Sequence, residues 1–382
     1  MKVAIVCDWL TNVGGAEKVL LRVHKLYPEA PIYTSKYDPK GIDWFEDAEV
    51  KTGWMQIFPS FLRRVLGPLR QWYFSRLDLS EYDLIISVTG AEAKSVKSGK
   101  WLHAHGKKTM NPKGIHISYC HVPTQYYWQM YDNYIKNPGF GVLNPFVRLF
   151  FRLLVRPLRR ADLRAAQRPD YYVTISDYAR DAIKKYYGRD SVVVHPPVEI
   201  KDFLRSSGGK TVENFYVVTS RQVNWKRLDL AVKACMMAQR KLVGIGEGPE
   251  HKKLVKLAEG SGLVKFLPLM DKSELASYLM RAKGYLFPSK EPFGIAPVEA
   301  LAAGCPVIAY GEGGARDYVV EGKNGILFSE QKATSLAEAI LKFEKLKFNR
   351  ERVAKTALKF DETRFDKELK DFVRKCEKKN DK

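Results

Sequence analysis

Cysteine is scarce and scattered: Cys7, Cys120, Cys235, Cys305 and Cys376 lie far apart, odd in number, with no CxxC pair. That spacing excludes a zinc ribbon and a disulfide framework, and free thiols in a reducing cytosol are the simple reading. Histidine is also sparse, with 7 residues, and neither HExxH nor a DxD near a strand end occurs. No metal site is therefore expected. No apolar run reaches the ~18 residues of a spanning helix. Met1–Cys7 runs into Asp8 too soon for a secretory leader. The expectation is a cytoplasmic chain whose membrane contact, if any, is peripheral. Acidic residues are in deficit, 43 against 64 basic ones, for a formal charge of +21. The excess is spread along the chain. Residues 1–198 hold 29 basic and 18 acidic side chains, and the remainder holds 35 and 25. Such a balance points to a phosphate-bearing or otherwise anionic partner. It is not a basic tail, and no helix-turn-helix, zinc finger or RNP motif accompanies it, so a nucleic-acid partner is not expected.

What is present is ordinary globular material in enough length for two domains: 382 residues, 45% apolar and 28% charged. Short apolar runs alternate with amphipathic ones. Strand-like segments are Val3–Cys7, Tyr82–Val88, Ile115–Cys120, Tyr171–Ile175 and Val192–His195. A second set is Phe215–Thr219, Lys241–Ile245, Val264–Leu267, Gly284–Phe287, Val307–Tyr310 and Ile326–Phe328. Runs apolar on both faces, separated by helical periods, predict parallel sheets covered by helices. Pro196-Pro197 and the polar run Arg205–Lys210 break the series. The reading is an α/β chain of two Rossmann-like domains, 1–198 and 199–358, facing across a cleft, with a final helix in 359–382 that crosses back to the first domain. Ligands of open α/β sheets bind at the carboxyl ends of the strands.

Several loops at those ends carry chemistry. Glu291-Pro-Phe-Gly-Ile-Ala-Pro-Val-Glu299 follows a strand and opens a helix. It offers two carboxylates for sugar hydroxyls and the amides of Phe293, Gly294 and Ile295 for phosphate. A plain strand–turn–helix with two solvated glutamates accounts for the same residues. Arg221 and Lys226 share one strand-to-helix loop, suited to a diphosphate or simply a basic surface turn. Gly14-Gly15 opens the first helix and lets backbone approach a ligand, or makes a tight turn. His121 ends the strand Ile115–Cys120 beside Tyr126-Tyr127-Trp128; a structural histidine is the competing reading. Gly244-Ile-Gly246-Glu-Gly248-Pro249 lacks the third spaced glycine of a dinucleotide turn. Two basic amphipathic segments, 58–77 and 144–168, fit helices lying in a lipid headgroup region or ordinary helices with a solvated face. The second holds seven arginines and one aspartate.

Taken in order, the glycine pair, the mid-domain histidine, the Arg…Lys loop and the Glu-x7-Glu loop resemble the retaining glycosyltransferases of family 4, of the GT-B fold. The stretches CDWLTNVGGAEKVL, YCHVPTQYYW and ISDYARDAIKKYYG look like bacterial O-antigen mannosyltransferases of that family. The resemblance implies a hexosyltransferase of cell-surface polysaccharide synthesis, working without a metal or cofactor. Its implied donor is a nucleotide sugar, GDP-mannose, and its acceptor a saccharide or lipid-linked saccharide at the inner face of the membrane. It further implies that Glu291 holds hydroxyls of the transferred sugar and Glu299 the ribose. Arg221 and Lys226 would neutralise the diphosphate, Gly14 and Gly15 approach the donor phosphate, and His121 touch the donor sugar. Leu267 and Leu269, within Phe266-Leu-Pro-Leu269, would hold the base through backbone. Competing readings are a same-fold transferase using a UDP-sugar, a sugar phosphorylase or epimerase, and a basic nucleic-acid-binding protein.

Overall fold

The computed structural model describes residues 1–60, 62, 66–136, 141, 144–204 and 211–380. The run Arg205–Lys210, and residues 61 and 63–65 of the first basic segment, lie outside the described residues. The chain divides into two units, Met1–His195 with Asp366–Lys382, and Pro196–Phe365.

The first unit is built on seven strands: β1 (Val3–Cys7), β2 (Ile32–Thr34), β3 (Val50–Lys51), β4 (Leu84–Thr89), β5 (Ile115–Cys120), β6 (Tyr171–Thr174) and β7 (Val192–Val193). Their order is β3-β2-β1-β4-β5-β6-β7, every pair parallel. Parallel neighbours need crossovers, supplied by α1 (Gly15–Leu26), α2 (Gly67–Arg76), α3 (Gly99–Ala104), α4 (Tyr131–Lys136), α5 (Asn144–Ala165) and α6 (Asp177–Tyr187). The fully buried β4 and β5 fall on the strand-like segments that the sequence shows. β2 and β3 escape the sequence reading because each is too short for a period to emerge. α6 shows why its boundaries fall where they do. Ser176 accepts a hydrogen bond from the Ala179 amide, and Gly188 closes the helix in the left-handed region, φ 66°.

The second unit repeats the plan: β8 (Phe215–Thr219), β9 (Lys241–Ile245), β10 (Val264–Leu267), β11 (Gly284–Phe287), β12 (Val307–Tyr310) and β13 (Gly325–Phe328), in the order β10-β9-β8-β11-β12-β13, all parallel. Its helices are α7 (Lys201–Leu204), α8 (Leu228–Met237), α9 (His251–Ala258), α10 (Lys272–Arg281), α11 (Ile295–Ala302), α12 (Ala333–Phe343) and α13 (Arg350–Lys355). Leu228, Ala231, Leu286, Ile308, Leu336 and Ile340 form the core between sheet and helices. The unit runs on to Phe365, past the 358/359 division read from sequence, because Phe360 packs on Phe293 and Tyr318 at 5.5 and 6.2 Å between ring centres. The last helix, α14 (Glu362–Asn380), then lies with the first unit from Asp366 on. Its Asp366 carboxylate accepts both arms of the Arg22 guanidinium.

Two polar clusters hold these layers. In the first unit Lys94 and Asp162, both fully buried, pair at 2.6 Å. Asp162 also accepts from Thr124 Oγ1 at 2.9 Å, Trp128 Nε1 at 2.8 Å and the Tyr187 hydroxyl at 2.9 Å. Burial works to discharge Lys94, but the Asp162 carboxylate outweighs it and its pKa is raised. In the second unit Glu344 gathers Arg240 (2.8 and 2.6 Å), Lys283 (2.6 Å) and the Tyr216 hydroxyl (3.1 Å). Chiefly through the Arg240 hydrogen bonds, its pKa falls from 4.5 to about 2.

Asp162→Ala would strand a buried ammonium and is expected to destabilise the first unit by about 3–5 kcal/mol in urea unfolding. Glu344 is lowered on folding, so its contribution is present above pH 4.5 and is lost as pH falls through about 2. Glu344→Gln should flatten that acid limb of the unfolding curve, measured by thermal melts of the two proteins across this window.

Candidate functional site

In the second unit the sequence-nominated residues gather at the carboxyl ends of β8 and β11. After β8 the chain passes Arg221, makes a single 3₁₀ turn over Asn224–Lys226, and enters α8 through Arg227 at φ 55°. A non-glycine residue there is uncommon. It is held by the Arg227 guanidinium on Asp229 at 3.0 and 3.2 Å. The turn aims the Lys226 ammonium at Glu291, with which it forms an ion pair. The other Glu291 oxygen accepts from Ser289 Oγ at 2.7 Å. Arg221 is not drawn into this pair. It is exposed, and its guanidinium sits 5.9 Å from the Trp225 ring.

The loop from Glu291 to α11 is fixed from behind. Phe293 is buried, edge-on to Tyr318 at 5.5 Å, and its carbonyl accepts the Tyr318 hydroxyl at 3.0 Å. Gly294 caps α11 at φ 94°, and a Cβ there would stand 2.6 Å from the Phe287 ring. No side chain caps the first turn, which opens at Ile295. Glu299, one turn on, is half-buried. Thus a carboxylate, an ammonium and an uncapped helix start lie within one loop pair. That set suits a ligand carrying both hydroxyls and phosphate. Leu267 ends β10 with its carbonyl accepting the Gly246 amide at 3.0 Å, while Leu269 is 81% exposed.

Three supports of this loop pair were not read as such from sequence. A Cβ on Gly246 or Gly248 would lie 2.4 Å from the Ser220 or Gln222 carbonyl oxygen, so the glycine run seats the Arg221 loop rather than a dinucleotide. Gln222 is fully buried, donating to the Gly246 carbonyl at 2.5 Å and meeting His251 Nδ1 at 2.8 Å. Gly313 and Gly314, after β12, seat the other loop: Gly314 N–H donates to the Glu291 carbonyl at 2.8 Å. Added Cβ atoms there would stand 2.4 Å from the Glu291 carbonyl oxygen and 2.3 Å from that of Pro292. A strand followed by Gly-x-Gly-Gly was the available signal.

In the first unit, Gly14 caps α1 in extended conformation, and Gly15 is its first residue. Gly14 has no side chain with which to cap the first turn. A Cβ on Gly14 would meet the Glu17 carboxylate at 2.7 Å. His121 follows β5, with its amide donating to the Thr89 carbonyl at 2.8 Å. Burial drives its pKa down from 6.5 to about 4, with Asp8 opposing. Its Nε2 is buried without a hydrogen-bond partner. A neutral imidazole with one unsatisfied nitrogen is built to meet a hydroxyl, not to counter a phosphate. Asp8 is already committed. It accepts from Thr89 Oγ1 (3.0 and 2.9 Å), Gly90 N–H (3.0 Å) and Ala93 N–H (2.7 Å). Among the described residues no cluster of three or more metal-ligating side chains occurs.

Residues 200–360 match the family model described as glycosyl transferases group 1. An uncharacterized glycosyltransferase of Methanocaldococcus jannaschii is 27% identical over 195 residues, covering 50% of this chain and 53% of that protein. A D-inositol 3-phosphate glycosyltransferase of Mycobacterium bovis is 30% identical over 189 residues, covering 44% and 39%. The chain thus spans about half the length of the first of these, or less. Among solved structures, HepE of Anabaena in complex with UDP superposes with a TM-score of 0.67 at 19% identity, over 98% of this chain and 100% of that one. The lipopolysaccharide outer core galactosyltransferase WaaB does so with 0.69 at 17% identity, over 98% and 99%. These two likenesses speak for the fold. With two parallel Rossmann-like sheets, the chain has the GT-B type of fold, and nearly all of its second unit, residues 200–360, matches the glycosyl transferases group 1 family model.

Proposed function

We propose that the protein is a retaining glycosyltransferase that moves a hexose from a nucleotide diphosphate sugar to a hydroxyl of a lipid-linked saccharide. GDP-mannose is the donor in this reading. The observation that carries it is the Lys226–Glu291 ion pair, lying within the family-matched residues and beside the uncapped start of α11. Without ligand the two charges neutralise each other. A donor diphosphate competes for the Lys226 ammonium, which leaves the Glu291 carboxylate to accept hydroxyls of the sugar. One exchange of partners thus reads both halves of the ligand.

The reaction breaks the bond from the anomeric carbon to the diphosphate oxygen. It forms a bond from that carbon to the acceptor oxygen on the same face, and the acceptor's proton passes to a phosphate oxygen. Lys226, Arg221 and the amides of Gly294 and Ile295 stabilise the charge that develops on the leaving diphosphate, without a metal ion. Glu299 takes the ribose, and the backbone by Leu267 and Leu269 the base. His121, neutral at pH 7, is a hydrogen-bonding partner for a sugar hydroxyl in this reading, and the Gly14–Gly15 turn offers amides to phosphate.

Calorimetry against GDP, UDP, ADP and their sugars tests the donor. GDP binding that weakens about tenfold or more in Lys226→Ala is expected, since a charge-assisted contact contributes about 1.5–3 kcal/mol. Preference for UDP would move the assignment to a UDP-sugar, and failure of every nucleotide to bind would defeat the transfer reading. In a sugar-transfer assay with chelator present, Glu291→Ala and Lys226→Ala should each lower kcat by roughly 10²–10³. Turnover like that of the unaltered protein in both would remove them from the site.

A further inference from the structure

The long helix α5 has two unlike faces. Val155, Asp162 and Ala165 turn inward and are buried. The outward face carries Phe146 (73% exposed), Leu149 (59%), Phe150 (62%) and Leu153 (68%). Their spacing of three and four residues makes one stripe along the helix. Toward its C-terminal end the stripe continues as exposed Pro157, Arg160 and Arg164, with exposed Arg152 and Arg156 along its edge. Water does not favour such a row of large apolar side chains, and contiguous patches of this kind mark an interaction surface. The neighbouring α2, joined to α5 by Gln71 Nε2 donating to the Ala161 carbonyl at 2.7 Å, adds an exposed Trp72 with the Arg76 guanidinium 5.1 Å from its ring. Two segments distant in sequence, linked by that hydrogen bond, thus each present exposed apolar and cationic side chains in one unit.

The mixture on a single face decides the occupant. The sole acid of α5, Asp162, is turned inward onto Lys94, so no acid of the helix itself offsets the arginines on its outward face. A second copy meeting this face by twofold symmetry would bring arginine rows of like charge together. An apolar groove of another protein would satisfy the stripe but leave the arginines unmatched. At the boundary between headgroups and acyl chains, both are satisfied at slightly different depths: long cationic side chains reach outward to phosphate while the rings and leucines sink. No described helix is long and apolar enough to cross a membrane, so the contact lies in the surface plane. We infer that the outward face of α5 docks on an anionic phospholipid surface, Phe146, Leu149, Phe150 and Leu153 entering the acyl boundary and Arg152, Arg156, Arg160 and Arg164 meeting the headgroup phosphates. The contact is independent of whether the protein transfers a sugar.

The test is co-sedimentation of the full chain with vesicles of phosphatidylglycerol and phosphatidylcholine, or of phosphatidylcholine alone, at two salt concentrations. Binding to the anionic vesicles that falls as salt rises is expected, with little binding to the neutral ones. Phe150→Ser with Leu153→Ser, and separately Arg152→Glu with Arg156→Glu, should each reduce partitioning about tenfold or more at an unchanged melting temperature. Equal binding of both variants and the unaltered protein, or no binding to either vesicle, overturns the proposal. So does a dimer in light scattering that the Phe150→Ser, Leu153→Ser protein loses, which would assign the face to a second copy.

Discussion

Parallel pairing is the constraint from which the rest follows. A parallel strand cannot be joined to its neighbour by a tight turn, so each strand hands on to a crossover, and the loops that follow strands collect at one end of the sheet. In the second unit this brings the loops after β8, β9, β11 and β12 together, although they span residues from Ser220 to Gly314. The loops carrying Lys226 and Glu291 are neighbours for that reason, with β8 and β11 adjacent in the sheet. The same constraint in the first unit places Asp8, Thr89 and His121 together, at the ends of β1, β4 and β5.

How each group behaves depends on what lies behind it. Lys226 and Glu291 remain partly exposed and satisfy each other, so a ligand can trade places with either. His121 is the opposite case, a half-buried residue whose neutral form is favoured by loss of water, with a buried ring nitrogen left unsatisfied. Asp8 faces the same end of its sheet, yet hydrogen bonds from three donors, the Thr89 hydroxyl and the Gly90 and Ala93 amides, make it a clamp between β1 and the turn after β4 rather than a reactive carboxylate. Position at a strand end is shared by all of them, and availability is not.

Much of the fold was legible because β4, β5, β8 and β11 are buried on both faces and so read as short, mostly apolar runs. β2 and β3 were not legible, being too brief to show a pattern, with their pairing to β1 deciding their conformation. At the site, the residue types of Arg221, Lys226, Glu291 and Glu299 could be picked out, since charge placed just after a strand is informative. That Lys226 faces Glu291 while Arg221 rests on Trp225 could not, because it depends on the left-handed backbone at Arg227 and on side-chain directions. The glycines of the 244–248 and 311–314 runs were visible as letters but not as seats, since the partner backbone lies far away in sequence. The basic segment 144–168 showed its composition, and only the structure showed that its one acid is turned inward.

Those glycine seats have a consequence for how such a site can change. The loops carrying Arg221 and Glu291 are located by main chain lying against main chain, at Gly246, Gly248, Gly313 and Gly314. Their positions therefore depend little on the exposed side chains they display. Residues such as Leu269 or Trp225 can be exchanged for others without moving the frame, so a lineage can try new ligands one side chain at a time. The glycines themselves have no such freedom, because any added carbon would push the two loops apart together.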